Sequence, residues 1–216
     1  MFNTIFPKIH KEGYKFLAIS ILITFGFLFI SMFLGFIFTI LTFWVYYFFR
    51  DPERISINDD NFLVSPADGL ITDVSERSGP EELRLENTTY TRVSVFMNVF
   101  NCHVNRVPIS GRVEEIYYKP GKFLNASLDK ASEENERNYI SVKSSNGQEI
   151  ILVQIAGLIA RRIVCEVKEN EDIKQGDRFG IIRFGSRVDL YLENFELMVK
   201  PNQNTIAGET ILAKRK

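Results

Sequence analysis

From Phe16 to Phe49 the chain carries no charged residue, a run of 34 positions. Beyond Arg50 the pattern changes to short apolar runs separated by Gly, Pro, Asn and Asp. The first regime predicts helix in a membrane. A secretory signal core is only about 7–15 residues, so this is no ordinary signal peptide. One straight helix of that length would span about 51 Å, against a hydrocarbon core of about 30 Å. A helical hairpin or re-entrant anchor fits better than one tilted span, with Gly26, Ser31 and Gly35 placed to take the bend. Lys8, Lys11 and Lys15 before it and Arg50 and Arg54 after it put both ends on the cytoplasmic face. Trp44, Tyr46 and Tyr47 form an interfacial belt that sets the membrane surface near residue 48.

The second regime predicts strands at 69–74, 91–97, 112–118, 138–143, 149–155, 161–167, 179–183, 187–192, 195–199 and 209–213, where Val, Ile, Phe and Tyr dominate. Only a weak helical period near 122–131 competes, and the acidic stretch Ser132–Arg137 is read as a solvated loop. Two similarities recur, each at its own constant offset. Pro66-Ala67-Asp68-Gly69-Leu70-Ile71 returns as Pro108-Ile109-Ser110-Gly111-Arg112-Val113. Val167–Asn170 with Gly176–Phe179 returns, both parts shifted equally, as Val199–Asn202 with Gly208–Ile211. A Gly turn entering a strand explains each motif. The fold class is therefore mainly β: a pseudo-duplicated, barrel-sandwich-like domain over 51–216, joined to an N-terminal hydrophobic helical anchor over 1–50.

Composition sharpens this division. Residues 1–50 hold 12 of the 19 Phe and four basic residues against one acid, while 51–216 hold 22 basic and 26 acidic residues. The whole chain has a net charge of −1, which excludes a generally basic nucleic-acid binder. Cys102 and Cys165, the only two cysteines, lack metal-ligand spacing and read as small buried hydrophobes.

The inventory for chemistry is thin. HExxH, CxxC, P-loop, GxGxxG and GxSxG motifs are absent, so no metal site or nucleotide enzyme of standard type is expected. Three features stand out. Asp68 precedes Gly69 at a strand entrance, which alone would be an ordinary turn. Phe96–Pro108 runs an apolar strand into a polar cluster holding His103, the one histidine of the β domain and the side chain best tuned to move protons near neutral pH. Gly185-Ser186 lies between two β-branched runs, where a plain hairpin turn is the simpler reading. A hydroxyl following glycine can, however, attack the carbonyl before it, since no Cβ blocks the approach.

Taken together, Arg50–Arg54, Ser65–Gly69, Phe96–Pro108 and Arg183–Asp189 resemble the shorter form of the phosphatidylserine decarboxylase proenzyme family. The resemblance covers essentially the whole chain and keeps the family's motif order. It departs at two places: Phe184-Gly185-Ser186-Arg187 stands where longer members carry Gly-Ser-Thr, and Arg106 stands where they carry a second histidine. Both proton roles then fall to His103. The resemblance implies self-cleavage between Gly185 and Ser186, giving chains 1–185 and 186–216. Ser186 would be the nucleophile, with His103 as base and Asp68 as its orienter. It also implies a covalent pyruvoyl group made from Ser186, which forms a Schiff base with the serine amine of phosphatidylserine in the bilayer. Phosphatidylethanolamine and CO2 are the implied products. Arg106, Arg161 and Arg162, together with Arg50 and Arg54, are candidates to meet substrate phosphate. The implied location is the cell membrane, with the catalytic domain on the cytoplasmic face. The competing readings are a membrane-anchored carrier or adaptor module and a decarboxylase of another serine-bearing lipid. A carrier would need a Lys at an exposed hairpin tip, and none stands out.

Overall fold

The computed structural model describes residues 6–126, 134–158, 162–183 and 186–216. These divide into two compact units, 1–53 and 54–216.

In the first unit, β1 (Lys8–Ile9) pairs with β2 (Arg50–Asp51) and closes a hairpin of two helices, α1 (Tyr14–Ile30) and α2 (Met32–Phe48). The break falls at Ser31, whose backbone is extended. The helices pack closely because Gly35 has no side chain: a Cβ there would lie 2.3 Å from Leu28 Cδ2. Phe27 stacks on Phe38, and the Thr24 hydroxyl lies 2.9 Å from that of Thr42. Side-chain hydroxyls that bond across the pair satisfy themselves where no water is available. The helical run Lys11–Ile30 is long and apolar enough to cross a membrane; Met32–Phe48 is shorter. At the base, Arg50 lies 3.6 Å over the Tyr47 ring.

The second unit is all β. An eight-stranded sheet runs in the order β11 (Asp172–Ile173), β7 (Gly111–Lys119), β8 (Arg137–Ser144), β9 (Glu149–Ala156), β13 (Ser186–Leu192), β5 (Thr89–Met97), β4 (Gly69–Ser78), β15 (Asn204–Thr205). Two three-stranded sheets accompany it. One is β10 (Ile163–Cys165), β12 (Arg178–Ile182), β6 (Val104–Arg106); the other is β14 (Phe195–Leu197), β16 (Ile211–Arg215), β3 (Phe62–Val64). The core is the apolar interior these sheets share, with Val93, Val95, Val113, Ile140, Leu152, Val188 and Leu190 fully buried.

The duplication is carried into backbone detail. β3 and β6, like β4 and β7, start at the same offset that separates the two Pro-x-x-Gly motifs. β10 and β14, like β11 and β15, start at the offset of the second motif pair. Ile71 bonds to Gln203 and Asn202 through its N–H and C=O, and Val113 bonds likewise to Glu171 and Asn170. Asn170 and Asn202 both take positive φ. Bulges follow at Ile71/Asp73 and Val113/Glu115. Gly69 shows why glycine opens each strand: a Cβ would lie 2.2 Å from the Phe96 carbonyl oxygen.

Two expectations change. Asn135 is fully buried, and Glu136 and Arg137 nearly so, so the second half of the acidic stretch is not a solvated loop. Asn135 donates to the carbonyls of Leu124 and Ala156 and accepts from Leu124 N–H, tying the loop at Leu124 to the end of β9. Lys122–Ala126 is not helical, and 127–133 lie outside the described residues.

Candidate functional site

The runs on either side of Gly185-Ser186 are not a hairpin. β12 ends at Ile182 in a three-stranded sheet, and β13 begins at Ser186 in the eight-stranded one. The chain therefore changes sheets at this point. Gly185 lies outside the described residues. Ser186 pairs with Met97 of β5 on one side and Ala156 of β9 on the other. By strand alternation its side chain shares the interior face with Val188 and Leu190. It is fully buried, and its hydroxyl has no hydrogen-bond partner among the described residues.

His103 is brought to the same junction. Its carbonyl accepts a bond from the N–H of Ile182, the last residue of β12 before the crossing. The ring is fully buried, with Nδ1 3.0 Å from the Asn101 carbonyl oxygen. A contact of that kind fixes the tautomer with the proton on Nδ1 and presents Nε2 for proton transfer.

Just beyond His103, the buried Asn105 anchors an amide relay that sequence reasoning missed. Asn105 Nδ2 donates to Met97 Sδ at 3.6 Å, Gln154 Nε2 donates to Asn105 Oδ1 at 2.9 Å, and Asn138 Nδ2 donates to Gln154 Oε1 at 3.0 Å. The relay crosses from the small sheet to the large one beside Ser186. Its one sequence signal is Gln154, a lone amide inside Ile150-Ile151-Leu152-Val153-Gln154-Ile155. Burying an amide is costly unless it is bonded, and here each side chain finds partners.

Asp68 sits at the entrance to β4. Gly69 lies two strands from Ser186 across the sheet, about 10 Å at the usual strand spacing. One carboxylate oxygen accepts from Ala207 N–H at 2.8 Å and the other from Arg54 at 2.8 Å. The Ala207 bond is structural: Ser110, its repeat partner, makes the same contact to Gln175 N–H. The second oxygen and the negative charge are what Asp68 adds. Arg54 is thus engaged in a largely buried ion pair.

The remaining arginines separate by environment. Arg106 is buried and donates to the Gly176 carbonyl. Arg162 is exposed, and its carbonyl accepts from Arg183 N–H at the end of β12. Arg161 lies outside the described residues. On the opposite face of β13 from Ser186, Arg187 pairs with Asp189 at 2.9 Å, Arg92 approaches Asp189 at 4.0 Å, and Arg92 meets Asp73 at 2.6 Å. Burial alone would raise the Asp73 carboxyl. The hydrogen bonds from Arg92 and Ser75 and the charge of Arg92 overcome that and hold it below the usual range. Burial pushes the neighbouring Tyr191 phenol up.

A duplicated β domain with a buried serine opening the strand after a sheet-to-sheet crossing, preceded by an apolar helical hairpin of which one helix is long enough to cross a membrane, sets the class: a mainly β protein with an N-terminal apolar hairpin. The chain belongs to the phosphatidylserine decarboxylase family, whose sequence pattern matches residues 41–213. It is 63% identical over 215 residues to the phosphatidylserine decarboxylase proenzyme of Pelagibacter ubique, covering 100% of both chains. The proenzyme of the same name from Ruegeria pomeroyi is 51% identical over 214 residues, covering 99% of this chain and 98% of that one. That of Rickettsia typhi is 50% identical over 213 residues, covering 98% and 92%.

Proposed function

We propose that this chain cuts itself between Gly185 and Ser186 and then decarboxylates phosphatidylserine to phosphatidylethanolamine with the pyruvoyl group so formed. The observation that carries the reading is the junction itself: a buried serine opening β13 just after Ile182, whose N–H bonds the carbonyl of the β domain's one histidine. The Ser186 hydroxyl attacks the preceding carbonyl and replaces the amide by an ester. His103 takes the hydroxyl proton through Nε2, with Nδ1 held on the Asn101 carbonyl. Asp68 acts as a positioning charge, held by Arg54 and Ala207. Elimination across the Cα–Cβ bond releases the new carboxylate of Gly185, and hydrolysis of the resulting enamine frees ammonia. The large chain is 1–185 and the small chain 186–216.

The residues around Ser186 fit a small keto group. The position is buried, held on both sides by strand pairing, and faced by the Asn105 amide across Met97. When present, the pyruvoyl carbonyl serves as the sink for the electrons released as CO2 departs. His103 is the proton donor available to the carbon that loses CO2. Arg162, exposed just before β10 and bonded through its carbonyl to Arg183 N–H, is, among the described residues, the arginine best placed to meet lipid phosphate. The small chain stays bound through β13, paired on both edges, and through β14, β15 and β16, which pair with each other or with large-chain strands. The basic flanks of the hairpin support attachment to the cell membrane with the β domain on the cytoplasmic face.

Intact-mass spectrometry of the purified protein tests this reading. Two chains divided at Gly185/Ser186, the smaller lacking a free amino terminus, are expected. A single uncut chain in protein that decarboxylates phosphatidylserine overturns it.

A further inference from the structure

β13 is antiparallel to both its neighbours, so β5 and β9 leave the sheet at the edge where Ser186 enters it. Both exits lead to exposed apolar side chains. Phe100, just past Met97, is 63% exposed, and Leu158, just past Ala156, is 68% exposed. Each therefore lies within about 11 Å of the backbone that pairs with Ser186. A third loop converges there. Asn135 binds the Ala156 carbonyl with its side chain and clasps Leu124 through both amide atoms, and the adjacent Phe123 is 37% exposed. Behind them stands Tyr118, half-exposed and close enough to Arg162 to feel its charge. Elsewhere in this unit Ile55, Ile57, Met198 and Ile206 are exposed on separate turns and strand ends. Scattered apolar residues need no explanation; several from different loops around one buried serine do.

We infer that Phe100, Phe123 and Leu158 form an apolar rim that inserts into the bilayer surface at the sheet edge where Ser186 begins β13. This contact is separate from the N-terminal hairpin. The occupant follows from chemistry: a two-tailed lipid presents its headgroup only at the bilayer surface, so the serine must be lowered to it. Aromatic and aliphatic tips enter the headgroup boundary, and Arg162, exposed just before β10, suits an anionic lipid surface. The inference rests on the phosphatidylserine reading above.

The test uses the full chain with Trp44→Phe, in vesicles of phosphatidylcholine and phosphatidylserine whose acyl chains are brominated near the headgroup. Phe100→Trp and Leu158→Trp should each be quenched by roughly half or more, because interfacial side chains sit at that depth. Met198→Trp, on the other small sheet, should keep its emission. Quenching no greater than that of Met198→Trp overturns the inference, and a rim that instead docks a protein would give that result. The second arm is Phe100→Asp with Leu158→Asp. Intact mass should show complete cleavage, and turnover of bilayer phosphatidylserine should fall about tenfold relative to short-chain phosphatidylserine kept below its micelle concentration. An equal fall on both substrates counts against bilayer insertion. Cleaved, unsubstituted protein that decarboxylates neither substrate would sink the phosphatidylserine reading instead, with quenching still deciding the rim.

Discussion

His103 and Asn61 stand at equivalent points of the duplicated frame, each just before the strand that its repeat shares with the other, β6 and β3. The His103 carbonyl accepts from Ile182 N–H, and the Asn61 carbonyl accepts from Arg215 N–H. The strands that follow are equivalent too, but one reads Val104-Asn105-Arg106 and the other Phe62-Leu63-Val64. Asn105 and Leu63 are both fully buried. A core that accepts leucine in one half holds a hydrogen-bonded amide in the other, next to the serine. The comparison teaches that the duplicated frame needs none of these polar groups for folding. They stand in the half whose last strand, β12, leads into Ser186, and buried polar networks are worth their desolvation only when fully bonded or put to use.

The largest effect should come from the crossing itself. Ser186→Ala removes the attacking oxygen and should leave one uncut chain on a denaturing gel, with no pyruvoyl. A split at Gly185 in that variant would remove Ser186 from the reaction. Ser186→Cys should cut slowly, because a thiol can make the same shift, and yield little active protein.

Next in size is the paired substitution at the equivalent points. His103→Ala should slow cleavage by about 10²–10⁴-fold, the usual cost of losing a proton-transfer partner. Asn61→Ala removes only an exposed bond to Asp59 and should leave the cleavage time course unchanged. Equal rates in the two variants would erase the functional asymmetry between the halves.

Asp68 and Ser110 sharpen the comparison further, because both cap the same turn. Ser110→Ala should cost about 1 kcal/mol in thermal or denaturant unfolding, the typical worth of one hydrogen bond, with cleavage unaffected. Asp68→Asn keeps an oxygen for Ala207 but removes the charge that meets Arg54. It should slow cleavage by about tenfold, well short of His103→Ala, since the positioning charge acts through another group. If Asp68→Asn cuts at the normal rate, Asp68 is a turn residue and nothing more.

Much of this frame was legible beforehand because its signals are local. Long runs such as Ile150–Ile155 and Arg112–Tyr118 announce strands, and the Pro-x-x-Gly repeats announce the duplication. The strands of the β domain that the sequence does not announce are short: Val104–Arg106, Asp172–Ile173, Asn204–Thr205 and the apolar Phe62–Val64 each depend on a distant partner to supply their ladder. The site divided the same way. Ser186, His103 and Asp68 stood out by their neighbours in sequence, whereas Arg54 on Asp68 and Gln154 on Asn105 are pairings across loops and sheets. The approach of Arg92 to Asp189 is hidden in the sequence because alternation normally puts a strand's charged face in water. In this eight-stranded sheet the central strands have both faces covered, so Arg187 and Asp189 are as buried as Val188.

That charged face supplies the smallest and most diagnostic test. Asp73 and Glu115 are repeat partners just after the two bulges, opposite Ser94 and Ser141. Asp73 meets Arg92, while Glu115 is exposed. Burial works against the charged form of Asp73, but Arg92 and Ser75 win and depress its pKa. A carboxyl whose folded pKa lies below its unfolded value adds stability that is fully present above the unfolded pKa. That stability is lost as pH falls through the folded one. Melting temperature should therefore decline on acidification below about pH 4, and Asp73→Asn should flatten part of that decline. Glu115→Gln should leave the curve as it was. Because the Asp73 side chain is 32% exposed, salt should screen part of the effect, and the difference between Asp73→Asn and the unsubstituted chain should shrink in about 1 M salt. An acid limb that Asp73→Asn and Glu115→Gln alter equally would show that the Arg92 pair gives its half of the frame no distinct electrostatic support.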